Sequence, residues 1–537
     1  MKSVDKKPPL CVYLMITHKG FIFMNTVMLI FFIALAASAI VYYIVPLKFR
    51  WIVLLVASVA FYVAIDTYLI AFICSTILTV YFGARYIQRN NDRASADDNA
   101  DKVKIKKKNK AMIALIIIFN LGIIGFLKYF NFLGGTINSL LALFGAQARI
   151  PFLKLFLPLG ISFYTLQAIG YLIDVYRRKY PAERHFGKLS LFLLFFPQIL
   201  EGPIARYDQT GAQIFEGHRA DYKNITFGLQ RILWGLFKKM VVADRLYLLV
   251  KTVSDAPANF SGIASLLFIL FYTIQLYADF SGFIDIAIGS GEIFGISLPE
   301  NFKQPFFAAS AQDFWKRWHI TLGAWLKEYV FYSVALSPRV VKASGKLKKK
   351  WKSHFTKMLP TGIALLAVWF CNGLWHGPEW KYIVYGMYYF IIIFTGMMLE
   401  PLFKKFWQKL HVSPENKGLA VFRHIRTLLI IFVGETIFGA NSLSDAFVIL
   451  ASVFKPYHGS MFSLGLDYKE FIIAILGIAT IFVVDGIKER GVSIRSSIAA
   501  KAFPIRWAAY LSVIVVIIIF GAYGGLYSVM PFIYGNF

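Results

Sequence analysis

Long apolar runs alternate along the chain with short polar and basic segments. The clearest uncharged runs are Phe21–Val45, Ala256–Ala278, Trp507–Phe537, Leu155–Ile173 and Tyr382–Leu399. Each reaches or approaches the ~20 residues that an α-helix needs to cross a hydrocarbon core. Because a bilayer offers the backbone no hydrogen-bond partners, such runs form helices rather than open sheets. The pattern therefore predicts an all-α, polytopic integral membrane protein with roughly 11 to 13 spans.

Further apolar segments complete the expected set of helices. They are Trp51–Ile65, Thr67–Gly83, Ala111–Leu127 and the stretches near 359–375, 427–440 and 471–485. Leu189–Leu200 is also uncharged but has only 12 residues, and Pro197 and Gly202 interrupt the chain there. A segment this short is expected to be re-entrant or broken rather than spanning.

Composition and charge support the same class of protein. Hydrophobic residues make up 58% of the chain and charged residues 16%, against about 25% in ordinary soluble domains. The formal net charge is +28, with nine Lys and Arg in Ala84–Lys110 and eight in Arg339–Lys357. Cytoplasmic loops carry such an excess, so both segments are predicted to face the cytoplasm. The basic clusters are separated by spans and lack a nucleic-acid-binding motif, so no nucleic-acid partner is expected.

The ends of the chain indicate one domain with a short extension. Residues 1–20 are polar and basic, and they are predicted to be poorly ordered. The first apolar run is too long for a secretory signal and lacks a small-residue cleavage site, so it is expected to stay as an anchor. Residues 21–537 show no repeat or soluble-domain boundary and are predicted to form a single multi-pass membrane domain.

One aromatic stretch holds the first candidate catalytic histidine. Trp315, Trp318 and His319 recur at i, i+3 and i+4, with a leucine at i+7, which predicts that they share one face of a helix. Asp313 and Arg317, acid first and four residues apart, support a helix at the same place.

The second candidate histidine is His376. Gly373, Gly377 and Pro378 argue against a regular helix through it, so it is expected at a helix end or break. A lone histidine among aromatic residues is more often a hydrogen-bonded core residue. In a bilayer, however, an ionisable side chain is costly and marks a pathway or a site, so His319 and His376 become the candidate catalytic residues.

Missing motifs exclude several mechanisms. The chain has no G-x-x-x-x-G-K-[ST] phosphate loop, no G-x-S-x-G elbow and no H-E-x-x-H zinc motif. Its three cysteines give neither a disulfide framework nor a metal-ligand pair. Gly289, Gly291 and Gly295 lack the spacing and the parallel-sheet context of a nucleotide fingerprint. No metal or bound cofactor is therefore expected.

A buried imidazole near broken helices is the chemistry that remains. Desolvation disfavours the imidazolium, so such a histidine stays neutral and can accept a proton near pH 7. This base can activate a hydroxyl that attacks a thioester, and Asn372 is a candidate oxyanion donor. The other candidate substrate-binding residues are Trp375, Trp318, Asp279 and Arg317. Packing is the commoner role for the two tryptophans. For Asp279 and Asp285, structural pairing with Arg206 or Arg317 is at least an equal expectation.

Five ordered motifs make the chain resemble a known family. They are Phe196-Pro197-Gln198 with Gly202-Pro203-Ile204 and Arg206-Tyr207, Asp279-Phe280-Ser281-Gly282-Phe283 with Asp285, Glu300-Asn301-Phe302 with Pro305-Phe306, Phe314-Trp315 with Arg317-Trp318-His319, and Gly373-Leu374-Trp375-His376-Gly377. Together they resemble the membrane-bound O-acyltransferase family, most closely its bacterial alginate O-acetyltransferase branch. The D-alanyl transfer protein of teichoic acid synthesis is a near relative. The resemblance runs from about Phe21 to Pro531-Phe532-Ile533-Tyr534.

That resemblance implies a fold, a reaction and partners. It implies a helical ring whose thinned centre holds a transmembrane tunnel, with His376 as the essential histidine and His319 as the second signature histidine. It implies acetyl-CoA or an acylated carrier protein as the cytoplasmic donor, and a polysaccharide or teichoic acid as the acceptor. A separate extracytoplasmic or membrane-anchored acyltransferase partner would complete the transfer. The implied location is the bacterial cytoplasmic membrane.

Three functions stay open on the sequence alone. The first is transfer of an acyl group, above all acetyl, to hydroxyls of an extracytoplasmic polysaccharide, and the second is D-alanyl transfer from a carrier protein to teichoic acid. The third is a proton-coupled transporter with the histidines as a relay, although no inverted repeat is evident. Departures from the alginate branch at Ser333–Pro338 and at Phe438-Gly439-Ala440 argue against alginate itself as the acceptor.

Overall fold

The structure is built almost wholly of helices. The computed structural model describes residues 10–65, 67–96, 101–146, 148–351, 353–413 and 415–523, with side chains from residue 27 onward. Within these residues the only strand-like pairing is an isolated antiparallel bridge between Phe302 and Trp318. The prediction of an all-α protein is confirmed.

Twenty-two α-helices follow one another along the described chain. The first ten are α1 (Leu10–Ile44), α2 (Arg50–Ile65), α3 (Ile70–Ala96), α4 (Lys102–Leu143), α5 (Ile161–Tyr176), α6 (Phe186–Leu194), α7 (Phe196–Ile199), α8 (Tyr207–Glu216), α9 (Tyr222–Leu236) and α10 (Asp244–Asp255). The next six are α11 (Ile263–Ile293), α12 (Ala311–Arg317), α13 (Ile320–Leu326), α14 (Tyr332–Ala335), α15 (Pro338–Lys350) and α16 (His354–His376). The last six are α17 (Trp380–Lys409), α18 (Lys417–Gly439), α19 (Leu443–Ser452), α20 (Tyr468–Glu489), α21 (Ile494–Ala499) and α22 (Phe503–Phe520). Short π-helical segments at Phe237–Ala243 and Lys327–Phe331 continue α9 and α13.

Nine helical segments in the described part of the chain are long and apolar enough to cross a membrane. They lie in α1, α2, α3, α4, α11, α16, α17, α20 and α22. The predicted total of roughly 11 to 13 spans stays a prediction, because shorter and broken helices cannot be assigned by length and composition.

Helix α11 lies at the centre of the fold. Of its most apolar window 78% is buried, whereas no other candidate span exceeds 39%. Helix α9 packs closely against it through two pairs of glycines: a Cβ on Gly228 would lie 2.5 Å from the Gly289 oxygen, and one on Gly235 would lie 2.4 Å from the Gly282 oxygen. Small residues let helix backbones approach in membranes, so these glycines serve packing.

The predicted span at Ala256–Ala278 was wrong at both ends. Helix α11 begins only after Gly262, whose φ of +50° places it in the left-handed region. The helix then continues to Ile293, because the following acids are paired inside the protein. Asp279 and Asp285 therefore lie within the helix and not after it.

The predicted span at Leu155–Ile173 was wrong in its first part. Helix α5 begins at Ile161, and residues 148–158 before it belong to no helix or strand. The turn at Gly160 has a φ of +69°, and a Cβ there would lie 2.0 Å from the Ile199 oxygen. Only glycine fits this turn, which sets where the helix starts.

The basic segment Ala84–Lys110 is mostly helical rather than a loop. Helix α3 extends to Ala96 and α4 begins at Lys102. The apolar segment at Leu189–Leu200 is broken, as expected, because Phe195 separates α6 from α7.

Both chain ends extend past the described residues. Residues 10–20 belong to α1, while residues 1–9 lie outside the described residues, so the poorly ordered extension stays a prediction there. The predicted C-terminal span Trp507–Phe537 corresponds to α22, which ends at Phe520, and residues 524–537 lie outside the described residues.

Candidate active site

His376 is the last residue of α16, at the helix end that the sequence predicted. Its side chain is buried, and its ring contacts Trp375, Tyr385 and Phe438 at centroid distances of 4.9, 5.8 and 4.9 Å. Gly377 follows in an extended conformation and ends the helix directly after the imidazole. The result is a histidine enclosed by aromatic rings at a helix terminus.

Close packing of α16 on α17 holds this helix end. A Cβ on Gly373 would lie 2.4 Å from the Tyr382 oxygen, and one on Gly386 would lie 2.3 Å from the Trp369 oxygen. The two backbones therefore approach one another at distances that exclude any side chain on these glycines. Since His376 lies one turn beyond Gly373, this packing sets its position.

A buried lysine caps the same helix end. The Lys128 ammonium, on α4, donates to the Trp375 carbonyl oxygen at 2.8 Å and to the His376 carbonyl oxygen at 3.5 Å. The last carbonyls of a helix lack intrahelical partners and carry the negative end of its dipole, which a cation stabilises. Lys128 thus ties α4 to the helix terminus that carries His376.

His319 does not lie on the predicted helical face. Helix α12 ends at Arg317, Trp318 is extended, and His319 has a φ of +46° in the left-handed region. The cause is pairing with the preceding segment, because the Lys303 N–H donates to the Arg317 oxygen at 2.9 Å and Trp318 bridges Phe302. This pairing pulls the chain out of the helix and holds a backbone conformation that non-glycine residues rarely adopt.

Asn301 determines how the His319 ring is oriented. Its side-chain oxygen accepts hydrogen bonds from the Thr321 N–H at 3.0 Å and from the Thr321 hydroxyl at 2.9 Å, and it lies 3.3 Å from His319 Nδ1. A carboxamide oxygen only accepts, so Nδ1 carries the proton and Nε2 carries the lone pair. The Ile204 N–H donates to the Thr321 hydroxyl at 3.0 Å and links this network to the broken segment after α7.

The rings of His319 and His376 both contact the indole ring of Trp375. The Trp375 ring lies 5.3 Å from the His319 ring and 4.9 Å from the His376 ring, centroid to centroid. Phe163 covers Trp375 at 5.5 Å, and Phe280 covers His319 at 4.8 Å. Residues far apart in sequence thus form one buried cluster of two histidines within aromatic walls.

Asn372 lies one helical turn before His376 and is also buried. Its side-chain oxygen receives no hydrogen bond from any residue that the structure describes. A buried amide with an unused polar atom fits a group that meets a ligand. The unused atom is an oxygen that can only accept a hydrogen bond, so it does not support an oxyanion role, and that role of Asn372 stays a prediction of the sequence.

Known proteins resemble this chain over most of its length. A family model described as "MBOAT, membrane-bound O-acyltransferase family" matches residues 184–434, which include both histidines. A probable alginate O-acetylase AlgI of Pseudomonas aeruginosa is 31% identical, over 77% of this chain and 71% of that protein. The chain belongs to the membrane-bound O-acyltransferase family.

Other relatives of this acyltransferase differ in their named substrates. A peptidoglycan O-acetyltransferase of Helicobacter pylori is 29% identical over 79% of this chain and 76% of that protein. A teichoic acid D-alanyltransferase of Bacillus subtilis is 28% identical over 58% of this chain and 78% of that protein. The protein is accordingly an O-acyltransferase, and it is an integral protein of the bacterial cytoplasmic membrane.

The structure holds the predicted site residue Asp279, and Asp285 further along α11, in ion pairs. Asp279 pairs with Lys239 at 2.6 Å, and Asp285 pairs with Lys238 at 2.6 Å. Pairing of these acids with Arg206 or Arg317 was therefore the wrong prediction, because the π-helical segment after α9 presents two lysines to α11.

Arg317 and Trp318 are also held in the surrounding framework. Arg317 pairs with Asp313 at 3.1 Å, as predicted, and with Glu489 at 2.8 Å. Trp318 stacks on Phe314 with a centroid distance of 5.3 Å. A direct substrate role for these two residues, and for Asp279, stays a prediction of the sequence.

Sequence reasoning missed Lys128 and the positioning role of Asn301. A signal for Lys128 was present, because it is a lone charge between apolar residues of α4, and buried charges in membranes mark functional positions. Asn301 belongs to the Glu300-Asn301-Phe302 motif, but nothing local indicates that its side chain reaches His319.

Proposed function

We propose that this acyltransferase moves an acetyl group from a cytoplasmic thioester donor to a hydroxyl of an extracytoplasmic polysaccharide. The observation that carries the proposal is the pair of buried imidazoles, His319 and His376, in contact with the same indole of Trp375. Two histidines in one water-poor enclosure suit proton transfer between an alcohol and a thiol.

His376 acts as the general base in this reaction. Its neutral imidazole takes the proton of the acceptor hydroxyl while the hydroxyl oxygen attacks the thioester carbonyl carbon. The C–S bond then breaks, the new C–O ester bond remains, and the imidazolium returns its proton to the leaving thiolate. Asn372 stabilises the oxyanion of the intermediate, and His319, oriented by Asn301, offers its Nε2 lone pair to the same proton network.

Charge distribution supports a cytoplasmic donor. The basic stretch Arg339–Lys357 includes α15 and carries eight Lys and Arg without an acid. Such a surface attracts the phosphates of coenzyme A or of a carrier protein's prosthetic arm. The acyl group then reaches His376 through a tunnel in a ring of helices, and a separate extracytoplasmic partner receives or passes on the product.

Replacement of His376 tests the proposal. His376→Ala removes the base, and we expect polysaccharide acetylation to fall by at least about 100-fold. The measurement is transfer of labelled acetyl from acetyl-CoA to envelope polysaccharide by the protein in lipid nanodiscs. His376→Gln preserves side-chain volume better and is assayed in parallel, and His458→Ala, at an exposed histidine, is the control. Acetylation that persists in both folded His376 variants would refute the catalytic role.

D-alanyl transfer is the second candidate function, and the Bacillus subtilis relative favours it. The same nanodisc preparation is incubated either with labelled acetyl-CoA or with a carrier protein charged with labelled D-alanine. If label moves only from the carrier protein, then D-alanyl and not acetyl is the group transferred.

A further inference from the structure

A buried carboxyl group lies on the helix that packs against His376. Glu435, on α18, is 0% exposed. Acidic side chains are almost never fully buried without partners that compensate for the loss of water. The Oε2 atom of Glu435 receives no hydrogen bond from any residue that the structure describes. Packing alone does not explain this residue, since an apolar side chain of similar size would avoid the cost of burying the carboxyl group.

Two tyrosine hydroxyls share the other oxygen of this carboxyl group. Tyr385 and Tyr389, one turn apart on α17, donate to Glu435 Oε1 at 3.2 and 3.3 Å. A carboxyl oxygen has two lone pairs, so it can accept both hydrogen bonds. Gly434 leaves the space for this contact, because a Cβ there would lie 2.3 Å from the Tyr389 hydroxyl oxygen. The carboxyl group thus holds two hydroxyls of α17 against α18.

One of these two tyrosines contacts the imidazole of His376. The Tyr385 ring lies 5.8 Å from the His376 ring, edge to face, and 5.0 Å from the Phe438 ring, centroid to centroid. Phe438 follows Glu435 by three residues on the same face of α18, and its ring lies 4.9 Å from the His376 ring. Glu435 is therefore linked to two of the rings around the imidazole, to one by a hydrogen bond and to the other by their shared helix.

We propose that Glu435 is a positioning residue for His376. The proposal rests on the proposed function, in which His376 takes the proton of the acceptor hydroxyl. Glu435 holds the Tyr385 hydroxyl, and the fixed Tyr385 ring restricts the imidazole to one orientation. A displacement of about 1 Å in a catalytic site can lower a rate about 100-fold, so a hydrogen bond outside the reacting atoms affects kcat.

A structural role in joining α17 to α18 is the alternative, and another tyrosine of α17 separates the two roles. Tyr388 donates its hydroxyl to the Ile430 carbonyl oxygen of α18 at 2.9 Å. It joins the same two helices as Tyr385 does, but through the backbone and not through Glu435. Tyr388→Phe is therefore the matched control for Tyr385→Phe.

Acyl-transfer kinetics in lipid nanodiscs test the proposal. Tyr385→Phe and Glu435→Leu should each lower kcat about 10- to 100-fold and change KM by less than about threefold, because the substrates still bind while the imidazole loses its orientation. Glu435→Gln should keep kcat within about threefold of wild type, because its amide oxygen accepts the same two hydrogen bonds. Tyr388→Phe should stay within about twofold, because one hydrogen bond between helices has a modest net effect.

The imidazole signal of His376 is a readout that does not depend on catalysis. Nitrogen NMR is recorded on the same nanodiscs with isotope-labelled histidine, and the His376 signal is identified by its absence from His376→Gln. Tyr385→Phe and Glu435→Leu should shift or broaden that signal, whereas Tyr388→Phe should leave it at its wild-type position. Thermal unfolding shows whether each variant is folded.

Three results would overturn the proposal. They are wild-type kcat with an unchanged His376 signal in Tyr385→Phe, equal losses of kcat in Tyr385→Phe and Tyr388→Phe, and equal losses of kcat in Glu435→Gln and Glu435→Leu. If Glu435→Leu does not fold, the two tyrosine variants decide. Absence of acyl transfer by wild-type protein from both acetyl-CoA and a charged carrier protein would instead contradict the proposed function, and the His376 signal would still test the positioning.

Discussion

The side-chain oxygen of Asn301 is the residue-scale feature that prepares His319 for chemistry. Three groups converge on it: His319 Nδ1, the Thr321 N–H and the Thr321 hydroxyl. Asn301 itself is fully buried, so its oxygen has no competing water. Because the Thr321 N–H can only donate, the identity of the amide oxygen is defined, and with it the proton on Nδ1. His319 therefore presents a lone pair on Nε2.

Asn301→Leu should lower kcat by about 10- to 100-fold, the range found when hydrogen-bond partners that orient metal-bound histidines are removed. The physical reason is that the imidazole loses the acceptor that sets its tautomer. The matched variant is Thr321→Val, which removes one hydrogen bond to Asn301 but leaves the one to His319. Steady-state kinetics separate kcat from KM, and thermal unfolding reports stability.

A purely structural role for Asn301 would give a different pattern. Both variants would then lose activity in proportion to their loss of stability. A larger fall in kcat for Asn301→Leu than for Thr321→Val at equal stability is the expected result.

At the scale of helices, the approach of α16 and α17 places His376. Gly373 and Gly386 face the backbone of the other helix at distances that no Cβ tolerates. Gly396, on the same α17, has no heavy atom within 4 Å of an added Cβ. Helix α17 thus offers one position where glycine is required, Gly386, and one where it is not, Gly396.

Gly386→Ala should destabilise the protein by about 1–3 kcal/mol, because the added methyl forces the two helices apart. It should also lower acyl transfer, since His376 lies on the displaced helix end. Gly396→Ala should be neutral or stabilising by about 0.4–1 kcal/mol, because alanine has less freedom in the unfolded chain. Thermal unfolding in detergent and the transfer assay check both. Equal effects of the two substitutions would contradict the packing argument.

At the scale of the whole molecule, α4 and the basic helix ends predict which side of the protein faces the cytoplasm and which faces the outside of the cell. The six lysines at the start of α4 predict the cytoplasmic side, and Lys128, further along α4, donates to the helix end that carries His376. Buried ion pairs of Lys238 and Lys239 with acids of α11 connect the π-helical segment after α9 to α11 at the centre of the fold. The proposed function assigns the donor and the acceptor to these opposite sides of the membrane.

Cysteine labelling should confirm this orientation. Single cysteines are introduced as Lys107→Cys and Phe144→Cys into protein whose Cys11, Cys74 and Cys371 are replaced by serine. Both positions are exposed, Lys107 near the start of α4 and Phe144 directly after its end. A membrane-impermeant maleimide applied to intact cells should label position 144 and should label position 107 only after permeabilisation. The reverse result would exchange the donor and acceptor sides.

Particular residues mark the limit of what was predictable. The end of α16 at His376 was predicted because Gly377 and Pro378 act locally on the backbone. The helix through Trp315 and His319 was wrong because a bridge to Phe302, distant in the chain, outweighed the helical spacing.

The amino-acid sequence by itself determined the class of the protein, its apolar helices, its two candidate catalytic histidines and its family. These follow from local quantities, since insertion into a bilayer depends on the summed hydrophobicity of about 20 adjacent residues. Only the tertiary structure decided that Lys128 caps the helix of His376, that Asn301 orients His319, and that Asp279 pairs with a lysine. Each of these depends on which distant segments meet, and a buried polar group takes whichever partner packing brings within hydrogen-bond distance.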